Sequence, residues 1–325
     1  DNNFSTTNQN DNLSSSSSSS STKNLSPSTA SSSRSPPPHQ LIADLANEPL
    51  KRIAPSELSF FPEAVGAGQF GTVYKAKWRG MVVAVKQILV IENQDKEELA
   101  QQFFQEARML KQLGTHPNVV SLLGVVDNPL SLVMPYLPNK SVDHLILNQP
   151  NKLTFRTALK IALSSARGML HLHCESIIHR DVAIRNILLS SDLEGIIADF
   201  GLSRLKDVAK KYMKTVTAFG PVKQMAPEAI QSKKYSEKSD VYSFGIVMWC
   251  LAMKKLDPLE DEDPLDVAIA AKQGTPVPIP PIPSRKAPKF YRELAARCVQ
   301  PEPDQRPNFH VIVKQLSVLS SILES

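Results

Sequence analysis

Apolar positions follow two periods along the chain. Over residues 64–90, "AVGAGQFGTVYKAKWRGMVVAVKQILV" is rich in Val, partly alternating and punctuated by glycine, which predicts consecutive antiparallel strands. Residues 95–113 follow, with Leu99, Phe103, Met109, Leu110 and Leu113 on a helical repeat. "NVVSLLGVV" (118–126) and "LSLVMPYL" (130–137) read as two further strands. Beyond residue 150 the helical period takes over. Residues 155–173 form one long amphipathic helix, 240–253 a buried one, and 290–299 and 310–323 shorter ones. The proline cluster "TPVPIPPIP" (275–283) cannot continue a helix and is loop or extended chain. A strand-rich part followed by a helix-rich part predicts two lobes with a ligand-binding cleft between them.

The first 50 or so residues differ in kind. They hold an unbroken serine run (14–21) among Asn, Gln and Thr, with few large apolar side chains. Such a segment cannot bury enough surface to offset its ordering entropy, so it is expected to be disordered. "SPPPH" (35–39) favours polyproline II. Its plain reading is a linker; its sharper one is a docking site for an SH3-type or WW-type module.

Composition narrows the function classes. Hydrophobic residues make up 42% of the 325 and charged ones 21%, a globular mixture. The net charge of +5 comes without a basic stripe interleaved with aromatics, so nucleic acid is not the expected partner. Cys174, Cys250 and Cys298 are odd in number and far apart, which fits neither a disulfide framework nor zinc spacing. They are expected in or near the core and reduced, as in a cytoplasmic protein. The longest apolar run, 241–253, contains Ser243 and is too short to span a bilayer. No signal-peptide pattern is visible.

Chemistry concentrates in a few stretches. "VGAGQFGTV" (65–73) spaces Gly66, Gly68 and Gly71 as GxGxxG, which lets backbone N–H groups approach phosphate oxygens. In a dinucleotide fold the glycines lead into a helix; here they lead into a strand, leaving a phosphate flap or a plain hairpin. "VAVK" ends in Lys86, either a strand-end cation reaching water or a cation aimed at phosphate. Glu106, inside the apolar pattern of the next helix, is the best-placed carboxylate to hold it. "HRDVAIRN" (179–186) and "IADFGLS" (197–203) supply Asp181, Asn186 and Asp199. Oxygen donors of this kind suit magnesium, and Asp181 remains to accept a hydroxyl proton.

Taken together these stretches, with "APE" (226–228), "SDVYSFG" (239–245) and "PDQRPNF" (303–309), resemble the signature set of eukaryotic protein kinases over about residues 55–320. The resemblance implies an α+β bilobal fold. An N-lobe of antiparallel sheet plus one main helix (about 55–134) joins a mostly helical C-lobe (about 139–320) through a hinge at 135–138. Residues 1–54 would be the tail and 321–325 a remnant.

For the site, the resemblance implies that backbone amides near Gly66, Gly68 and Gly71 cover the phosphates of ATP, with Val65 and Ala67 also at the nucleotide. Val73, Ala84 and Leu188 would enclose the adenine, with Met134 as gatekeeper and Pro135, Tyr136 and Leu137 as hinge. Lys86 would contact phosphate and pair with Glu106. Asn186 and Asp199 would hold Mg2+, for which Mn2+ can substitute, and Asp181 would be the catalytic base. Phe200, His179, Leu110 and Leu122 match a stacked spine, Glu228 and Arg306 an ion pair, and Asp240 an anchor of the catalytic loop. Arg180 favours a phosphorylation switch, with Tyr212, Thr215 and Thr217 as candidate sites.

The acceptor hydroxyl is read from two further features. Ala183 and Arg185 resemble the "HRDLAARN" of tyrosine kinases, and Pro221 in "FGPVKQMAPEAI" resembles their "FPVKWMAPEAL". Gly220 is an insertion, however, and Gln224 and Val299 stand where tyrosine kinases have tryptophan. The expectation is a tyrosine-kinase-like enzyme with tyrosine or dual specificity; strict serine/threonine specificity is the alternative. A pseudokinase scaffold is a further reading, which the full set Lys86, Glu106, Asp181, Asn186 and Asp199 argues against. An adaptor acting through its tail would not explain that set.

Overall fold

The computed structural model describes residues 50–68, 71–89, 96–200 and 222–324. All fall within one compact unit, Asp44–Ser325. Most of the tail, the hairpin tip at 69–70, Tyr212, Thr215, Thr217, Gly220 and Pro221 lie outside the described residues.

Five strands form one antiparallel sheet: β1 (Leu58–Gly68), β2 (Gly71–Trp78), β3 (Met81–Ile88), β4 (Gly124–Asp127) and β5 (Leu130–Pro135), in the order β1-β2-β3-β5-β4. Alternation in the strands sorts their side chains. Val83 and Val85 of β3 join Ala76, Trp78, Val126 and Val133 in a core on one face. Ala84 and Lys86 therefore point to the other face. The register sets Val73 and Leu132 opposite Lys86, and Lys75 and Met134 opposite Ala84. The residues expected around the nucleotide thus share one face of the sheet.

Helix α1 (Lys96–Gln112) buries Leu99, Phe103 and Leu110, together with Glu106, which is 3% exposed. The helical part comprises α2 (Val142–Asn148), α3 (Phe155–Cys174), α4 (Pro227–Ser232), α5 (Glu237–Met253), α6 (Pro264–Lys272), α7 (Lys289–Cys298) and α8 (Phe309–Glu324). One hydrophobic core runs from α1 and the inner ends of β3, β4 and β5 through α3, α5, α7 and α8. Helix α5 is apolar nearly all round and is accordingly buried nearly all round. It begins at Ser236, whose hydroxyl accepts from Ser239 N–H while Ser239 Oγ accepts from Ser236 N–H. This is the bilobal protein kinase fold that the motifs imply.

Two readings need correction, and one element lay outside the sequence pattern. Of the stretch 118–126 only 124–126 is strand, and that strand runs on to Asp127. Asn118 O instead accepts from Ile197 N–H, and Val120 N–H donates to Ile197 O, so this segment is stitched to a short C-lobe ribbon. That ribbon is β6 (Ile187–Leu189) paired with β7 (Gly195–Ile197), two strands too short for a pattern of their own. Cys174 is exposed at the end of α3, whereas Cys250 and Cys298 are buried. Burial pushes the Cys250 thiol up and the Cys298 thiol up to about 12, so both stay protonated and act as small apolar side chains.

Candidate active site

The catalytic-loop motif is held from behind by Asp240 in the first turn of α5. Its carboxylate is 1% exposed and accepts three N–H groups: His179 N at 2.8 Å, Arg180 N at 2.9 Å and His173 Nε2 at 3.0 Å. Arg180 takes a left-handed backbone, φ 65°, which an arginine adopts only when its surroundings impose it. Two N–H groups fixed on one carboxylate impose it here. His179 Nε2 lies 3.2 Å from Ala198 O, and its ring meets the buried Phe200 edge-on at 6.1 Å. Leu110 and Phe200 belong to the same core, and Leu122 packs against it.

Past this anchor the chain makes a tight turn at Ile184–Asn186 and enters β6. The turn brings Asn186 back onto Asp181. Asn186 Nδ2 donates to the Asp181 backbone oxygen at 2.7 Å and to Asp181 Oδ2 at 2.9 Å. Because its amide nitrogen is committed there, Asn186 presents its amide oxygen elsewhere. Arg185 donates to the other Asp181 oxygen, Oδ1, and to Gln224 Oε1 at 2.8 Å.

The β6–β7 ribbon delivers Asp199. Ile187 pairs with Ile197, and Ala198 N–H donates to Asn186 O at 2.9 Å, so Asp199 follows directly beside Asn186. Asp199 also has positive φ, 63°. Lys86 Nζ lies 2.6 Å from Asp199 Oδ2. The lysine is 7% exposed, and a buried ammonium needs a counter-charge. In this conformation Asp199 supplies it, and not Glu106 as the motif set implies. Asn186 is thus bonded to Asp181 and Lys86 to Asp199, and the Ala198 N–H bond to Asn186 O sets the two pairs side by side. The side chains of Asn186 and Asp199 carry hard oxygens, the type of donor that suits a magnesium ion.

The glycine-rich hairpin pairs Gly66 with Val73, Ala67 with Thr72 and Gly68 with Gly71. Gly71 has φ 147°, and a Cβ there would meet Gln87 O at 2.0 Å, so no other residue fits against β3. Val65, Val73, Ala84, Met134, Tyr136 and Leu137 are half-buried. Leu189 N–H donates to Lys140 O and Ser141 bridges Leu188, which docks the segment after the hinge on β6 and sets Leu188 there.

Farther from the chemistry, Arg306 closes the helical lobe. All five of its N–H donors are engaged: Glu228 Oε1 at 2.6 Å and Oε2 at 2.9 Å, and the carbonyls of Gln300, Lys238 and Pro301. Its guanidinium lies 5.0 Å from the Tyr242 ring centroid. Burial pushes the Tyr242 hydroxyl up to about 12, against the opposing pull of Arg306. A cavity of about 420 Å³ opens beside α5 and the proline loop, lined in part by Val299 and Trp249. Sequence reasoning did not find the Gln224–Arg185 bond. Gln224 registered only as a departure from a pattern.

Residues 60–316 match the family described as protein tyrosine and serine/threonine kinase. Among curated proteins, the chain is 34% identical over 262 residues to a probable serine/threonine-protein kinase, drkC, of Dictyostelium discoideum, covering 78% of this chain and 34% of that one. It is 36% identical over 282 residues to the Arabidopsis thaliana serine/threonine-protein kinase VIK, covering 84% and 63%. It is 36% identical over 263 residues to the Arabidopsis serine/threonine-protein kinase CTR1, covering 79% and 31%. The chain therefore spans less than two thirds of each of these relatives. Among the described residues, no helix is long and apolar enough to cross a membrane. With the family match spanning most of the chain and the motif residues gathered at one place between sheet and helices, the chain belongs to the protein kinases.

Proposed function

We propose that residues of about 55–320 form a magnesium–ATP-dependent kinase domain that phosphorylates serine or threonine on proteins. The observation that carries the proposal is the clamped carboxylate. Asp181 is held on Oδ2 by Asn186 and on Oδ1 by Arg185, next to Asp199 and Lys86.

In this reading Asp181 orients the substrate hydroxyl and accepts its proton. The hydroxyl oxygen bonds to the γ-phosphorus of ATP, the bond from that phosphorus to the bridging oxygen breaks, and ADP leaves. Asn186 and Asp199 hold magnesium, which when bound neutralises charge on the phosphates. Lys86 exchanges its bond to Asp199 for the phosphates and Glu106. Backbone N–H groups of Gly66, Ala67 and Gly68 cover the phosphates, and Val65, Val73, Ala84, Met134, Tyr136, Leu137 and Leu188 enclose the base. Little covalent work falls to the protein, because phosphoryl transfer is mostly positioning and charge stabilisation.

The acceptor preference rests on the named relatives, all serine/threonine-protein kinases, and this outweighs the tyrosine lean drawn from Ala183, Arg185 and Pro221. Phosphorylation of Tyr212, Thr215 or Thr217 would regulate the domain through Arg180. Phosphoamino-acid analysis of the autophosphorylated chain, with Asp199→Ala as control, tests the reading. Phosphoserine or phosphothreonine in the wild type alone is expected. Phosphotyrosine alone would restore the tyrosine reading, and label in the control would discount the site.

A further inference from the structure

Gln224 stands where the tyrosine-kinase pattern has tryptophan, and its side-chain oxygen accepts from Arg185 NH1 at 2.8 Å. An indole could not do this, since its N–H only donates. The glutamine is itself fixed from several sides. It ends the turn Val222–Gln224, whose Val222 is buried with Leu259 and Val267. Lys223 reaches Asp257 at 3.5 Å and Glu260 O at 3.4 Å. Gln224 O accepts from Ser243 Oγ at 2.7 Å. Ser243 is three residues past Asp240 on α5, one helical turn along. Helix α5 therefore holds the catalytic loop twice, through Asp240 on the backbone of His179 and Arg180, and through Ser243, Gln224 and Arg185 on the carboxylate of Asp181.

Arg185 has these two described side-chain acceptors, one on each terminal nitrogen. It is partly exposed, its side chain 37% accessible. A long cation so placed has many rotamers open to it, and fixing one of its ends selects among them. Ala183, two residues past Asp181, carries no charge of its own.

We propose that Gln224 is a positioning residue for phosphoryl transfer, holding Arg185 in the one orientation that clamps Oδ1 of Asp181. The proposal rests on the assignment of Asp181 as base. With Arg185 on one oxygen and Asn186 on the other, the carboxylate plane is set for the substrate hydroxyl. Without the acceptor at 224, Arg185 rotates away and its hold on Oδ1 is lost. Neither residue belongs to the set assigned to the nucleotide, so ATP affinity is untouched.

The test is steady-state kinetics of the full chain on a peptide that the wild type phosphorylates, with Gln224→Met, Gln224→Glu, Arg185→Lys, Arg185→Ala and the double variant Arg185→Ala/Gln224→Met. Methionine keeps the volume and removes the acceptor. Loss of a hydrogen bond to a charged group predicts about a tenfold fall in kcat for Gln224→Met, with KM for ATP within twofold. Gln224→Glu, which keeps an acceptor, retains at least half of wild-type kcat. Arg185→Lys keeps the charge but cannot span both acceptors, so it falls like Gln224→Met and stands in for it if that variant does not fold. In the Arg185→Ala background, Gln224→Met has no further effect. Full activity in Gln224→Met or Arg185→Lys, or additive losses in the double variant, would overturn the proposal while leaving the kinase reading intact. A wild type that transfers no phosphate would overturn both.

Discussion

Replacing Asp240 by asparagine changes a single atom behind the catalytic loop and tests how that loop is held. The wild-type carboxylate accepts three N–H groups: Oδ2 from His173 Nε2 and His179 N, and Oδ1 from Arg180 N. Asparagine offers one acceptor oxygen. Its better orientation leaves that oxygen facing His173 and His179 and turns its NH2 toward Arg180 N–H, a donor against a donor. One hydrogen bond to a charged group is lost outright and the two that remain become neutral. At about 1.5–3 kcal/mol for a charged bond and about 1 kcal/mol for a neutral one, the lost bond and the two weakened ones come to about 2.5–7 kcal/mol before the backbone relaxes. Arg180 then no longer has a partner that pays for its left-handed backbone, which costs about 1–2 kcal/mol, and it relaxes toward ordinary φ. Asp181 follows it. Urea unfolding read by fluorescence should give a destabilisation of about 3 kcal/mol, and initial rates of peptide phosphorylation a fall in kcat of tenfold or more. A variant with kcat within twofold of wild type and a destabilisation under about 0.5 kcal/mol would refute the reasoning.

Arg306→Leu should cost about 3–5 kcal/mol in urea unfolding, because it leaves Glu228 without its cation and removes three bonds to carbonyls; the pair Arg306→Leu/Glu228→Leu should recover part of the loss. Gly71→Ala should raise KM for ATP and lower the melting temperature, because its Cβ would lie 2.0 Å from Gln87 O; unchanged values would remove the case for close approach. His116 has its pKa lowered by burial and then by His171, whose ring stacks on it at 4.7 Å; its Nδ1 accepts from Asn118 N–H and so must be unprotonated. A histidine depressed on folding takes up its proton more readily unfolded, so its contribution is complete above its ordinary pKa of 6.5 and is lost as pH falls toward the folded value. Thermal unfolding between pH 7.5 and about 5 should therefore fall less steeply for His116→Asn than for wild type, and parallel curves would contradict this.

The long periodic segments were legible in sequence because their burial is one-sided and repeats. Helices α1, α3, α5, α7 and α8 and strands β2, β3 and β5 fall where the apolar pattern puts them, whereas β1 begins earlier, at Leu58. Helices α2, α4 and α6 and the β6–β7 ribbon are short, and tertiary docking forms them more than periodicity does. Residues 118–120 read as strand because two valines follow Asn118 in an apolar stretch, but Asn118 and Val120 use their backbone groups on Ile197 in the other lobe. The site was legible as a set of residue types. Asp181, Asn186 and Asp199 lie close in sequence, and one turn and one ribbon suffice to gather them. Which partner Lys86 takes was not legible, because Glu106 and Asp199 are both carboxylates and the choice depends on how α1 sits. Gln224 was not legible as a partner of Arg185 either, since 39 residues separate them and contact follows only once α5 has placed the turn.

The most direct measurement compares Asp181→Asn with wild type in two assays on the same preparations, Mg-ATP affinity by calorimetry and radiolabel transfer from ATP to a serine/threonine peptide. If Asp181 is the base, affinity stays within twofold while transfer falls by about 10²-fold or more. Transfer near the wild-type rate in a folded, ATP-binding Asp181→Asn protein would contradict the account.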